Sequence, residues 1–229
     1  MTLPPGQFAV DGFPRFGTHL GRPAPAVPAD PEIAIGGAAV ERPTAVALAE
    51  LQALPRRELV ADLHCVSGWS ATGLRWEGVP FEALYRAVVE PSLRAGAAVT
   101  HVVFRGLDGY RSTVWLADAL REDVLLADRL DGSALDADHG APLRLVSPSQ
   151  YGFMSTKHLC AIDLLTREPD PGHGAPFGLM EALLRSPLVR PHQRARVWQE
   201  ERHRHLPAWV LRPVYRLLIP PIRHLSARR

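Results

Sequence analysis

The chain is 229 residues long and 46% hydrophobic, which suits one large domain, or one domain with an appendage, and excludes an intrinsically disordered chain. A net charge of +2 is too mild to point to nucleic acid, and two cysteines build no disulfide framework, which fits a reducing compartment. No apolar run is long enough to cross a bilayer and no secretory leader is visible, so the expected location is cytoplasmic.

Residues 1–31 are proline-rich and poorly periodic, and read as an extended arm lying over a core. "EIAIGGAAV" (32–40) predicts a strand, and "TAVALAELQALP" (44–55) a short helix closed by Pro55. "RELVADLHCV" alternates, which puts Leu59, Ala61, Leu63 and Cys65 on one face of a strand. Cys65 leaves that strand into Ser67-Gly68, and loops after strands are where sites sit. Gly78 and Pro80 begin a helix with Phe81, Leu84, Tyr85 and Val88 at helical spacing.

"AVTHVVFRG" and "YRSTVWL" are strands about a turn, followed by a helical turn at "LADALRE". "DVLLADRLDGSAL" is a strand running into an Asp131-Gly132 hairpin. "APLRLVSP" is another strand, and "YGFMSTKHLCAIDLLTRE" opens as a glycine loop and continues as a strand. Short strands with interspersed helices, and no regular βαβ alternation, argue for an α+β fold. From Pro187 the character changes: ten arginines face Glu200 and Glu201, with Trp198, Trp209 and Tyr215 interleaved. This basic amphipathic stretch reads as one helix to Leu206 and another from Ala208. The domains expected are thus the arm (1–31), an oxidoreductase domain (32–186) and the basic tail (187–229).

Taken alone, Cys65 could be core filler, a nucleophile or a metal ligand. Cys160, in the apolar run "HLCAIDLL", reads as core, and His203 and His205, between arginines, as solvated. The loop signatures GxGxxG and GxxxxGK[ST] do not occur, nor do CxxC or HExxH. Among 26 lysines and arginines only Lys157 is a lysine.

Three stretches narrow the choice: "HCVSGWSATGLRWEGVPFEALY", "FRGLDGYRSTV" and "DHGAPLRLVSPSQYGFMSTKHL", in that order. Together they resemble the sulfite oxidase-type molybdopterin-dependent oxidoreductases over roughly residues 15–166. The resemblance implies a mixed-sheet molybdopterin-binding fold of the α+β class, with the basic, partly helical tail appended. It implies a molybdenum–molybdopterin cofactor with Cys65 as the protein's thiolate ligand to molybdenum and the catalytic centre. It further implies that His19, Asp108, His139, Arg144, Thr156 and Lys157 hold the cofactor, the last two together with His158 at its phosphate end. These chemistries suit the roles: a soft thiolate for a thiophilic metal, a guanidinium fork and an ammonium for phosphate.

Where sulfite oxidases hold two arginines, this chain has Gly17 and Ser70, and no tyrosine occurs between Tyr151 and Tyr215. That strips fixed positive charge from a sulfite pocket and favours a sulfoxide or N-oxide type of small substrate. Trp69, Ser70 and Tyr110 are further pocket candidates, each with packing as the competing role. Without a haem module, electrons pass to or from a separate carrier. A second reading, of another class, is a non-catalytic, cofactor-carrying protein that docks through its tail to an anionic membrane surface or an acidic partner.

Overall fold

The computed structural model describes residues 2–14, 23–169, 192–210, 212, 213 and 217. In chain order the strands are β1 (Phe8–Val10), β2 (Glu32–Gly36), β3 (Thr44–Ala47), β4 (Arg57–His64), β5 (Trp69–Pro80), β6 (His101–Gly106), β7 (Arg111–Trp115), β8 (Leu125–Leu130), β9 (Ser133–Ala134), β10 (Arg144–Val146) and β11 (Leu159–Leu165). The helices are α1 (Leu48–Gln52), α2 (Phe81–Leu84), α3 (Glu90–Ser92) and α4 (Leu116–Ala119), with a π-type turn at Tyr85–Val89 joining α2 to α3. None of the described helices is long and apolar enough to cross a membrane.

Among the described residues the strands form two mixed sheets. One runs β1-β5-β8-β10, with β4 also on β5 and β9 on β8; the other runs β3-β2-β11-β6-β7. The parallel pairs are β1 with β5 and β2 with β11. Side chains alternate across a strand, so the first sheet feeds two cores. Val79, Leu126 and Leu145 join Ile33, Phe104, Val114 and Ile162 of the second sheet in the larger cluster. Trp76, Leu125, Ala127 and Val146 face the other way and join Cys65 and Trp69. The α+β, mixed-sheet expectation holds.

Three local expectations need correction. Residues 44–47 are strand, not helix: Thr44–Ala47 pair antiparallel with β2, and ladder bonds to a neighbouring strand outweigh local helix preference. The helix predicted up to Leu206 is not present across residues 192–206; this stretch is turns and bridges. His203 is buried, not solvated.

The described part of the tail belongs to the core. Ala195 and Val197 are fully buried. Their backbone is bound to the loop after β10, Tyr151 N–H to the Ala195 carbonyl (2.9 Å) and Val197 N–H to the Ser149 carbonyl (3.0 Å). Arg194 makes a two-pronged ion pair with the buried Asp118 at the end of the second sheet, one contact at 2.7 Å. Toward the other end of the chain Phe8–Val10 join the first sheet as β1, in parallel pairing with β5, rather than lying over it.

Candidate active site

Cys65 sits in the turn that connects β4 to β5. Its N–H donates to the Trp69 carbonyl (2.8 Å) and its carbonyl accepts from Gly68 N–H (3.0 Å), so the turn closes on itself. The apolar face of β4 delivers the side chain to the smaller core, where it is 9% exposed. Its Sγ lies 2.9 Å from Ser67 Oγ. Burial pushes the thiol up to about 11, while Ser67 and the charge of Arg202 pull it back. Such a sulfur is a thiol until a metal displaces its proton.

A polar chain lies beneath this turn. Gln7 Nε2 donates to the Cys65 carbonyl (3.1 Å), and Ser70 Oγ donates to Gln7 Oε1 (3.0 Å). With its proton so used, Ser70 accepts from His64 Nδ1 at 2.7 Å, which sets the His64 tautomer. Ser70 is therefore a buried link in the support of the turn. Trp69 is buried in the core beside Cys65. Tyr110 donates its hydroxyl to the Phe153 carbonyl, and burial raises its pKa.

A second group of residues converges from three loops. Gly140 adopts φ +111°, and a Cβ there would meet the Cβ of Arg144 at 3.2 Å and of Lys157 at 3.0 Å. Gly106 ends β6, and a Cβ there would fall 2.4 Å from the Lys157 carbonyl and 2.6 Å from Asp108 Oδ1. The two glycines thus let Arg144, Lys157 and Asp108 stand side by side. His139 joins them: its carbonyl accepts from Arg144 Nη1 (2.9 Å), its Nδ1 faces Asp136 Oδ1 (2.8 Å), and its Nε2 faces the Phe13 carbonyl (3.1 Å). Asp108 Oδ1 accepts the Tyr110 N–H (3.0 Å) and shapes the β6–β7 turn.

Thr156 departs from expectation. It is fully buried, and its hydroxyl meets Ser112 Oγ (2.7 Å) and donates to the Phe104 carbonyl (3.4 Å). It fastens the loop to the second sheet, so its hydroxyl is not turned toward a ligand. His19, like Gly17, lies outside the described residues. Cys160 is only partly buried on β11.

Arg144 shows what the site is built to hold. Its side chain is 1% exposed, with the guanidinium carbon 5.0 Å from the Trp76 ring and 5.6 Å from Phe13. No carboxylate among the described residues pairs with it, and burial alone pulls its pKa down to about 9. A buried cation without a partner is expensive. This one sits across Gly140 from Lys157, so the pair makes a cationic cradle that fits an anionic group.

The comparisons agree with that chemistry. The family model for the oxidoreductase molybdopterin-binding domain matches residues 19–173. The chain belongs to that family. The family's molybdenum–molybdopterin cofactor carries the anionic group that would fit beside Arg144, and Cys65 would offer a soft sulfur to its metal. Among the described residues no group of three or more His, Cys, Asp or Glu could hold a metal ion.

An uncharacterised oxidoreductase of Bacillus subtilis, YuiH, is 31% identical over 165 residues, covering 71% of this chain and 73% of that one. The protein-methionine-sulfoxide reductase catalytic subunit MsrP of Xanthomonas axonopodis is 32% identical over 176 residues, 71% of this chain and 54% of that one. A relative from Azospira oryzae named as a subunit of such a reductase is matched over 44% of its length, so the chain spans about half of these two relatives. Among solved structures, the sulfane dehydrogenase SoxCD from Paracoccus pantotrophus shares the fold, with a TM-score of 0.53 at 21% identity over 63% of this chain and 40% of that one.

If Lys157 holds the cofactor's phosphate end, Lys157→Ala should lower cofactor retention about tenfold, within the 10–100-fold range typical of supporting contacts. Lys157→Arg should lose less, because charge matters more than shape. Pterin content per chain after gel filtration measures both. Equal retention in all three proteins would remove Lys157 from the site.

Sequence reasoning missed Gln7, Ser67, Trp76 and Arg202. Gln7 and Arg202 come from opposite ends of the chain, and neither has a local pattern that marks it. Trp76 stands in the quoted "LRWEGVP", and its role as a platform for Arg144 follows only from the pairing of β5 with β8.

Proposed function

We propose that the protein reduces a small, uncharged sulfoxide, with Cys65 as the ligand through which the chain holds the metal. The carrying observation is the surroundings of the Cys65 turn. The place where sulfite oxidases keep an arginine is occupied by Ser70, which is fully buried and spent between His64 and Gln7. Arg202 approaches the turn, but its terminal nitrogens are committed to the carbonyls of Val66 and Gly6. Arg75 is 58% exposed and faces Glu58, and Arg111 is exposed on β7. A sulfite dianion therefore lacks a cationic fork here, whereas a neutral sulfoxide needs none. The names of the methionine-sulfoxide reductase relatives support the same substrate class.

The cofactor, when bound, supplies the oxygen-atom and two-electron chemistry. The balance is that a sulfoxide takes two electrons and two protons to give a thioether and water, with the electrons coming from a separate carrier. The chain's own part is to hold the sulfur ligand rigid, keep water out of the turn by burial, and retain the cofactor through Arg144 and Lys157.

Steady-state turnover with a chemical electron donor tests the proposal. Small sulfoxides, methionine sulfoxide among them, should be reduced. Saturable sulfite oxidation exceeding sulfoxide reduction would overturn it.

One observation favours the docking alternative as an added role: Trp198, Trp209 and Leu217 are 57%, 72% and 77% exposed in an arginine-rich stretch. Because residues 194–202 are part of the core, the test is substitution rather than deletion. Trp209→Ser with Leu217→Ser should leave cofactor content intact and weaken binding to anionic vesicles several-fold. Unchanged binding to vesicles removes the membrane reading.

A further inference from the structure

Both ends of the chain reach the turn that carries Cys65. Gln7 holds the Cys65 carbonyl from the arm. From the other end Arg202 enters, 1% exposed, with Nη1 donating to the Val66 carbonyl and Nη2 to the Gly6 carbonyl (3.3 Å). Its guanidinium carbon lies 4.8 Å from the centre of the Tyr151 ring. The segment is held in place by the backbone bonds of Ala195 and Val197 to the loop after β10.

We propose that Arg202 is a positioning residue for Cys65: it fixes the Val66 carbonyl, hence the direction of the neighbouring sulfur, and places a positive charge beside it. This rests on the reading of Cys65 as the metal's ligand. Among the described residues no carboxylate forms an ion pair with Arg202, Glu200 acting on it only at longer range, because the nearby carboxylates are engaged elsewhere. Glu201 is taken by Arg196 (Nε 2.9 Å) and faces His192 (3.4 Å), and Glu200 is taken by Arg212. Arg202 Nε is buried with no hydrogen-bond partner among the described residues.

A strut that only tied the two ends together could be neutral. Burying a guanidinium for that purpose carries a desolvation cost that an amide avoids. A fixed cation next to an anionic thiolate–metal centre offsets that cost. It also favours the reduced, more negative state of the centre, so removing it should lower the reduction potential.

The test compares Arg202→Gln, Arg202→Met and Arg202→Lys in the full chain loaded with cofactor. Gln keeps donors for the two carbonyls without charge, Met keeps neither, and Lys keeps the charge. The midpoint potential should fall in the Gln and Met proteins and stay near wild type in the Lys protein. The thiolate-to-metal band should move most in the Met protein, where the Val66 carbonyl is released. If the potential of the Gln protein equals that of wild type, Arg202 is only a strut and the proposal fails; that arm decides even if the Met protein does not fold. Cys65→Ser run alongside keeps the two readings apart. A band that survives there overturns the ligand assignment, whereas a band lost there with potentials unchanged at Arg202 overturns the positioning role alone.

Discussion

Replacing Cys65 by serine is expected to reduce turnover to background and erase the thiolate-to-metal absorption band, while the chain still folds and retains most of its cofactor. The separation of these outcomes follows from where the contacts lie. In the proposed site Arg144, Lys157 and His139 would retain the cofactor, and they are grouped around Gly140 and His139 rather than in the Cys65 turn. The turn itself is closed by backbone bonds and by Gln7, which a serine leaves in place. A serine hydroxyl can keep the contact that Cys65 Sγ makes with Ser67, so the stability loss should stay near 1 kcal/mol, or roughly 2–4 °C in melting temperature. What serine cannot replace is a soft, polarisable sulfur donor. Turnover, visible spectrum and metal per chain measure the result. Wild-type turnover with an unchanged spectrum would show that Cys65 is not the ligand. Cys160→Ser, half-buried on β11 and remote from the turn, is the matched control and should leave the spectrum alone.

Arg144→Met should have opposite effects on the empty and the loaded protein. In the cofactor-free chain the buried guanidinium has only carbonyl and ring contacts to set against its desolvation. Methionine fills a similar volume between Phe13 and Trp76 and makes favourable sulfur–aromatic contacts. Replacing buried charge by apolar volume is often stabilising by about 1–4 kcal/mol. Taking the lower end, because a cation–π contact and the bond to His139 are lost, the cofactor-free melting temperature should rise by roughly 2–4 °C. In the loaded protein the missing cation should reduce cofactor content severely, on the order of the 10–100-fold losses seen when a supporting group is removed. Calorimetry of the empty chain and pterin content of the loaded one provide the two readings. A lower melting temperature for the empty variant would mean that Arg144 is a structural residue.

The parts legible in the sequence are those with short-range causes. Alternation in "RELVADLH" marked β4 and the face bearing Cys65, and Asp131-Gly132 marked the hairpin, whose φ values of +49° and +79° suit that pair. The motif around "DHGAPLR" drew His139 and Arg144 together because they lie five residues apart. Residues 44–47 misled because Ala45 and Ala47 suit a helix that continues into Leu48–Gln52, while the partner that makes them a strand, β2, is decided by sheet register. Thr156 misled in a subtler way: a hydroxyl beside a lysine matches a phosphate motif, but the register of β6 with β7 sets Ser112 opposite Phe104, and the Thr156 hydroxyl bonds both. The tail misled most. Its arginines look solvated as composition, yet Arg194 and Arg202 enter the fold through partners 76 and 136 residues away.

That last contact has a consequence for how the molecule is made. Ribosomes release a polypeptide from its amino end, and domains tend to fold as they emerge. The Gly6–Arg202 bond spans 196 positions, and Arg202 also clasps the Val66 carbonyl next to the thiol. The turn bearing Cys65 therefore stays only partly braced until residue 202 has been synthesised and has docked. Long-range closures of this kind are slow compared with hairpins. A nascent chain halted before that point would carry Cys65 on a turn that lacks its brace from Arg202.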